Sequence, residues 1–134
     1  MKARARHVGY AAALWLALAS SAAIACGYCV EDRIAAVYDH ALQQRTLASH
    51  HQVAFFAWDG PLARDEGSRQ KMLALAEATP GVDKGSARVA MEPAALAVAF
   101  DPQRGSVSAL QAALQKSLGP LKLSLVLLQA STGH

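Results

Sequence analysis

An excess of charge of one sign is missing from most of this sequence. The 134 residues include thirteen Lys and Arg against ten Asp and Glu, but Lys2, Arg4 and Arg6 lie within the first seven positions. The rest of the chain therefore carries ten basic and ten acidic residues. This balance does not support the basic surface that binds nucleic acid, and we expect no nucleic-acid partner.

Long apolar runs are also missing. The run from Val8 to Ala19 is too short to span a bilayer comfortably, and no later stretch is longer. It follows the three basic residues and precedes small residues that end in the Ala-Ile-Ala of positions 23–25, which is the order of a secretory signal peptide. We therefore expect cleavage before Cys26 and export, in the first place to a bacterial periplasm, with no stable membrane span afterwards.

A lipid anchor is a second interpretation of the same cleavage region. Residues 23–26, Ala-Ile-Ala-Cys, resemble a lipobox, although such boxes usually have Leu where Ala23 stands. Acylation of Cys26 would leave no pair of free thiols in the exported protein.

Motifs of catalysis are absent as well. The sequence shows no Ser-His-Asp order, no phosphate-binding loop and no paired acids with the context for hydrolysis, so we expect the protein not to be an enzyme. What the chain does have is a single Cys-x-x-Cys, formed by its two cysteines, Cys26 and Cys29.

The apolar pattern after Cys29 predicts a helix and then an alternation of strands and helices. Val30, Ile34 and Val37 recur at helical spacing, and we predict one helix from Val30 to Ala48. The later elements are predicted as a strand at 53–58, a helix with Ser68 as N-cap, strands at 86–92 and 95–101, a helix capped by Ser106 or Ser108, and a strand at 121–128.

The order β-α-β-β-α-β is typical of a ferredoxin-like α+β fold, in which two helices cover one face of a four-stranded antiparallel sheet. The strand at 95–101 is apolar on both of its faces, so we expect both faces of the sheet to be covered. Either the N-terminal helix or a dimer partner can provide the second cover, and we favour the helix. The predicted segments are a signal peptide at 1–25, a Cys-x-x-Cys helix at 26–50 and a ferredoxin-like domain at 51–134.

Residues 78–119 resemble the heavy-metal-associated domain. The resemblance rests on Gly81-Val82 after the first helix of the domain, on the VAFDP of residues 98–102 at the end of a strand, and on a serine and leucine that enter the second helix, within residues 107–110. With the flanking strands it covers about 80 residues. It implies the ferredoxin-like scaffold and a role connected with metal ions.

The chain departs from this family at the metal ligands. The family carries a Cys-x-x-Cys in the loop between its first strand and first helix, and the matching loop here, residues 58–69, contains no cysteine. The family's metal site therefore does not carry over to this loop, and the Cys-x-x-Cys at 26–29 has to be considered for itself.

The pair of Cys26 and Cys29 can bind a soft cation. Cu(I) is satisfied by two thiolates, whereas Zn²⁺ usually takes four ligands. A straight helix would place His40 about 15 Å and His50 and His51 about 30 Å from Cys29, too far to complete a zinc site. We therefore expect binding of Cu(I) or another soft ion, with transfer to the thiols of a protein partner; the sequence does not fix the oligomeric state.

Two other interpretations of the cysteines stay open. Cys26 and Cys29 can form a structural disulfide, as cysteines of exported proteins commonly do. The protein would then be a periplasmic interaction module that binds no metal and uses its fold for contact with a partner. The two cysteines can also form a thiol-disulfide redox site, although the charges of Glu31 and Asp32 beside Cys29 oppose formation of a reactive thiolate. The pair His50 and His51 is interpreted as a solvated helix end rather than as a set of metal ligands.

Overall fold

The computed structural model describes residues 28–130, so the expected signal peptide and Cys26 lie outside the described residues. The helices are α1 (Val30–Val37), α2 (His40–Ala48), α3 (Glu66–Glu77) and α4 (Val107–Ser117). The strands are β1 (Gln52–Asp59), β2 (Arg88–Met91), β3 (Ala94–Phe100) and β4 (Ser124–Ala130). None of the helices within residues 28–130 is long and apolar enough to cross a membrane.

The four strands form one antiparallel sheet in the order β2-β3-β1-β4. This is the sheet order that a split βαβ arrangement produces, because each crossover helix carries the chain past one strand position: α3 past β3 and α4 past β1. The predicted α+β, ferredoxin-like fold is confirmed.

Helices α3 and α4 cover one face of the sheet. Alternate residues of the central strands β1 and β3, among them Phe56, Trp58 and Leu96, form a core there with Met72 of α3 and Leu114 of α4. All five are at most 2% exposed. Burying an aromatic or aliphatic side chain to this extent stabilises a fold by about 1.5–3 kcal/mol, so this is the main core of the protein.

The other face of the sheet is covered by the N-terminal helices, as predicted. Phe55 of β1 packs in a second core with Val37 of α1 and Leu42 of α2, over a row of alanines in β3. These alanines, which we call the alanine row, are Ala95, Ala97 and Ala99, and each is at most 1% exposed. All seven residues of β3 are buried because the strand has a helical layer on each side.

The single helix predicted from Val30 to Ala48 is wrong, because the chain forms two helices there. Tyr38 is extended, with φ −71° and ψ 128°, and Asp39 caps α2 by accepting a hydrogen bond from the backbone N–H of Leu42 at 3.0 Å. An aspartate at this position satisfies a free N–H at a helix start, which favours a new helix over a continuous one. The break lets α1 lie on β3 while α2 continues along β1.

Two other boundaries differ from the prediction for similar local reasons. The N-cap of α3 is Asp65 and not Ser68, since the Asp65 carboxylate accepts from the backbone N–H of Ser68 at 2.7 Å. A 3-10 turn over Gly119–Leu121 follows α4 and delays β4 to Ser124, with Lys122 at φ 56° closing the turn. Of the two serines proposed to cap α4, Ser106 is the one that does so.

Candidate metal site at the thiol end of the sheet

The sheet has two ends, and the candidate functional residues are divided between them. Asp59 pairs with Ser124 at one end, where β1 leaves the sheet and β4 enters it. Gln52 pairs with Phe100 at the opposite end. We call the first the thiol end, because the segment with Cys29 lies there, and the second the histidine end, because His51 lies there.

Cys29 lies at the start of α1 as its N-cap residue, is exposed and carries a free thiol. Its carbonyl oxygen accepts from the backbone N–H of Arg33 at 3.2 Å, and its own N–H donates to the Asp32 carboxylate at 3.4 Å. These contacts hold the backbone of Cys29 while its side chain is left open to solvent. The second cysteine of the proposed pair, Cys26, precedes the described residues.

The pKa of the Cys29 thiol is raised above its ordinary value. The largest single influence, the backbone N–H of Asp32, lowers the pKa. The carboxyl groups of Asp32 and Glu31, together with desolvation, act in the other direction and outweigh it. This thiol is therefore less ionised at neutral pH than an ordinary cysteine, which does not suit an attacking nucleophile.

A cleft of about 400 Å³ lies beside the Cys29 segment at the thiol end. Tyr28, the residue before Cys29, lines it together with Asp59 at the end of β1 and Arg64 in the β1–α3 loop. The Arg64 guanidinium stacks over the Trp58 ring, 4.2 Å from its centroid. Tyr28, which lies between the two cysteines in sequence, is thus next to the β1–α3 loop, although the two are far apart in sequence.

Arg33 fixes α1 to this end of the sheet. Its Nη1 donates to the carbonyl oxygen of Ala94 at 2.6 Å, across 61 positions of sequence. Ala94 is the first residue of β3, so the bond joins the first turn of α1 to the hairpin between β2 and β3. The start of α1, and Cys29 with it, is therefore held by a tertiary contact and not only by the helix.

The histidines within residues 28–130, which are His40, His50 and His51, do not reach the thiol end. His51 precedes β1, whose seven residue steps from Gln52 to Asp59 span about 23 Å at 3.3 Å per residue. His40 is the first residue of α2, beyond the break at Asp39. Within residues 28–130 no group of three or more His, Cys, Asp or Glu side chains is arranged to hold a metal ion.

The interpretation of His51 as a solvated helix-end residue is wrong. Its Nδ1 lies 2.6 Å from Oδ2 of Asp83, and its Nε2 lies 3.8 Å from Oδ2 of Asp101. The side chain is 27% exposed, so it is partly buried and not solvated as a free helix end would be. His50 is different: it is exposed and has φ 57°, which turns the chain out of α2.

No protein-family model matches this sequence, and no curated protein matches it. Among solved structures, the chain is similar to a copper-binding domain from HMA7, a P-type ATPase, with 16% identity and a TM-score of 0.47 over 60% of this chain and 97% of that one. The chain is also similar to oxidized MerP from Ralstonia metallidurans CH34, with 19% identity and a TM-score of 0.46 over 59% of this chain and 99% of that one.

A third similar structure is the Cu(I)-loaded N-terminal domain of a potential copper-translocating P-type ATPase from Bacillus subtilis, with 22% identity and a TM-score of 0.45 over 60% of this chain and 91% of that one. At identities of 16–22% and TM-scores of 0.45–0.47, these similarities assign no function to this chain.

Proposed function

We propose that the protein is an exported carrier of a soft metal ion such as Cu(I), which it binds through Cys26 and Cys29 and passes to the thiols of a protein partner. The observation that carries the proposal is the exposed, free thiol of Cys29, fixed at the start of α1 and three positions after the only other cysteine of the sequence, Cys26. Sulfur ligands select soft cations, and two thiolates satisfy Cu(I).

The acidic residues beside Cys29 fit a cation better than a redox reaction. Glu31 and Asp32 lie in the first turn of α1 and raise the pKa of the Cys29 thiol. The same carboxylates favour a bound metal ion, because the ion replaces the thiol protons and is attracted by their negative charge. This contrast is why a carrier is preferred over a thiol oxidoreductase, which needs a stable thiolate without metal.

Transfer to the partner is an exchange of ligands without turnover chemistry. A partner thiolate forms a bond to the metal ion as the bond to Cys29 or Cys26 breaks, and the released thiolate takes up a proton. The exposure of Cys29 allows a partner sulfur to approach, and the cleft lined by Tyr28 and Arg64 adjoins the exchange site. Export of the mature chain through the N-terminal signal is part of the same proposal.

The test is a mass measurement followed by a competition for Cu(I). The intact mass of protein purified from the exported fraction without reductant reports cleavage before Cys26, any lipid on it, and the loss of two protons in a disulfide. The reduced protein is then titrated anaerobically with Cu(I) against a colorimetric chelator. We expect one Cu(I) per chain in the wild type and loss of competitive binding in Cys29→Ser.

His51→Gln is the matched control, since it alters an imidazole at the other end of the sheet and leaves both cysteines in place. Equal Cu(I) retention in the wild type and Cys29→Ser would overturn the proposal. A disulfide in the exported protein, with no Cu(I) uptake after reduction, would also overturn the proposal. The two cysteines would then form a structural disulfide.

A further inference from the structure

The histidine end of the sheet holds a cluster that the carrier function does not use. His51 lies between two carboxylates that come from different parts of the chain, Asp83 after α3 and Asp101 after β3. All three line a cleft of about 600 Å³. The cluster is partly enclosed, with the His51 side chain 27% and the Asp101 side chain 25% exposed.

The bond to Asp83 decides which nitrogen of the neutral His51 ring carries the proton. A carboxylate can only accept a hydrogen bond, so at a separation of 2.6 Å Nδ1 must donate to Asp83 Oδ2. In the neutral ring Nε2 then has no proton and presents its lone pair. A carboxylate that orients a histidine through one nitrogen and raises the basicity of the other is the arrangement found behind metal-binding histidines.

The free nitrogen faces a second acceptor. Nε2 of His51 and Oδ2 of Asp101 are 3.8 Å apart, too far for a hydrogen bond between them. In a tetrahedral site with both ligands about 2.0–2.1 Å from the metal ion, the two ligand atoms lie about 3.3–3.4 Å apart, so His51 and Asp101 share one ion once their side chains close the gap by about 0.4 Å. Imidazole nitrogen with carboxylate oxygen suits divalent ions of intermediate softness better than it suits Cu(I).

We propose that His51 and Asp101 form a second cation site, for a divalent ion such as Zn²⁺ or Co²⁺, in which Asp83 orients His51 without touching the metal. The protein supplies two ligands within the described residues, and the open cleft admits the water molecules or partner groups that complete the coordination. This site is separate from the thiols and does not depend on the carrier function.

Arg104 opposes the bound ion. Its Nε lies 3.6 Å from the same Oδ2 of Asp101, so its guanidinium competes with a cation for that oxygen. The Arg104 side chain is 90% exposed and can leave at little cost. Removal of this charge should therefore strengthen the binding of a divalent ion, which a purely structural cluster of ion pairs does not predict.

The experiment uses the mature chain with both cysteines replaced, Cys26→Ser and Cys29→Ser, so that thiols cannot contribute. Co²⁺ is added while its visible absorption is followed, and Zn²⁺ binding is measured by calorimetry. We expect one ion per chain, with the ¹⁵N resonance of His51 Nε2 shifting on addition of Zn²⁺. We expect His51→Gln to bind at least tenfold more weakly and His50→Gln, the matched control, to bind as before.

Three further variants separate ligation from folding. Asp101→Asn keeps the Oδ1 that accepts from the backbone N–H of Gln103 at 3.0 Å, so the turn should survive while ion binding falls. Asp83→Asn should weaken binding about 10–100-fold, the usual effect of removing an orienting carboxylate. Arg104→Gln should strengthen binding severalfold without a change in melting temperature.

Absence of saturable binding, or equal binding by His51→Gln and His50→Gln, would overturn the second site. Unchanged or weaker binding by Arg104→Gln would do the same even if His51→Gln failed to fold. Neither result affects the Cu(I) titration of the wild type, so failure of this site and failure of the carrier function are distinguishable.

Discussion

The Asp39 carboxylate lies 3.1 Å from the Arg88 guanidinium, and this ion pair joins the break between α1 and α2 to strand β2. The same carboxylate caps α2 through the N–H of Leu42. Its pKa lies below the ordinary value, first because of the bond from the Leu42 N–H and then because of the bond from Arg88. Asp39 thus starts α2 and joins the break between the two helices to the sheet.

The two roles of Asp39 can be separated by substitution. Asn also caps helices but has no charge, so Asp39→Asn should keep the cap and lose only the ion pair, whereas Asp39→Ala loses both. We expect the free energy of unfolding, from urea denaturation, to fall in the order wild type, Asp39→Asn, Asp39→Ala. Equal stability of the wild type and Asp39→Ala would contradict the assigned role of the break.

Acid should weaken the start of α3 through Glu66. Three hydrogen bonds from Arg69 and Gln70 hold this carboxylate, and its pKa is lowered from 4.5 to about 2, chiefly by the bond from Arg69 and next by that from Gln70. A lowered carboxyl pKa stabilises the fold fully above its unfolded-state value and less as the pH falls through the folded-state value.

We therefore expect this stabilisation to be present above about pH 4.5 and to be lost towards pH 2. Glu66→Gln should flatten the dependence of melting temperature on pH over this range, and 1 M salt should do so partly in the wild type, since the pair is exposed. Identical profiles for the wild type and Glu66→Gln would count against the assignment.

Asp32 should control the acidity of Cys29. Asp32→Asn removes the carboxylate that raises the thiol pKa but keeps the backbone N–H that lowers it. We expect a lower pKa for Cys29 in this variant, seen as a shift to lower pH in the rate of alkylation, measured with Cys26→Ser so that one thiol reacts. Asp101→Asn, at the histidine end, is the control and should leave the rate profile in place.

The alanine row should not accept larger side chains. Ala97 is fully buried between β3 and the N-terminal helices, so Ala97→Leu adds three carbons where there is no space. Overpacking of this kind costs about 1–3 kcal/mol, which urea denaturation can measure. Val126→Leu is the matched control, because Val126 is 61% exposed, and it should change stability by less than about 0.5 kcal/mol. A neutral Ala97→Leu would show that α1 and α2 are loosely docked.

The sequence predicted the elements whose signals are local. The two apolar faces of β3 lie within one heptapeptide, and they indicated cover on both sides of the sheet, which α1 and α2 provide together with α3 and α4. Ser106 was similarly one of two serines that stood immediately before an apolar helix pattern. Periodicity and capping residues depend on only a few neighbouring residues, so such features can be predicted from the sequence without knowledge of the fold.

Features that depend on distant partners were missed. Asp39 can stand inside a helix as well as cap one, and its partner Arg88 is 49 residues away. His51 lies 32 residues from Asp83, so nothing in its own neighbourhood distinguishes it from the exposed His50. The closeness of Tyr28 to Asp59 likewise follows only from the packing of α1 on the sheet. Asp101, which directly follows the last residue of β3, was the one available signal for the cluster at the histidine end.

The cover that α1 and α2 provide over the alanine row restricts how copies of this protein can associate. A ferredoxin-like sheet with a bare face can dimerise by stacking two such faces, and here that route would require the N-terminal helices to undock first. The edges of the sheet, β2 and β4, and the outer faces of the helices remain accessible for self-association. A dimer of the intact fold would therefore be sensitive to changes on these outer surfaces and indifferent to changes beneath the helices that leave the fold intact.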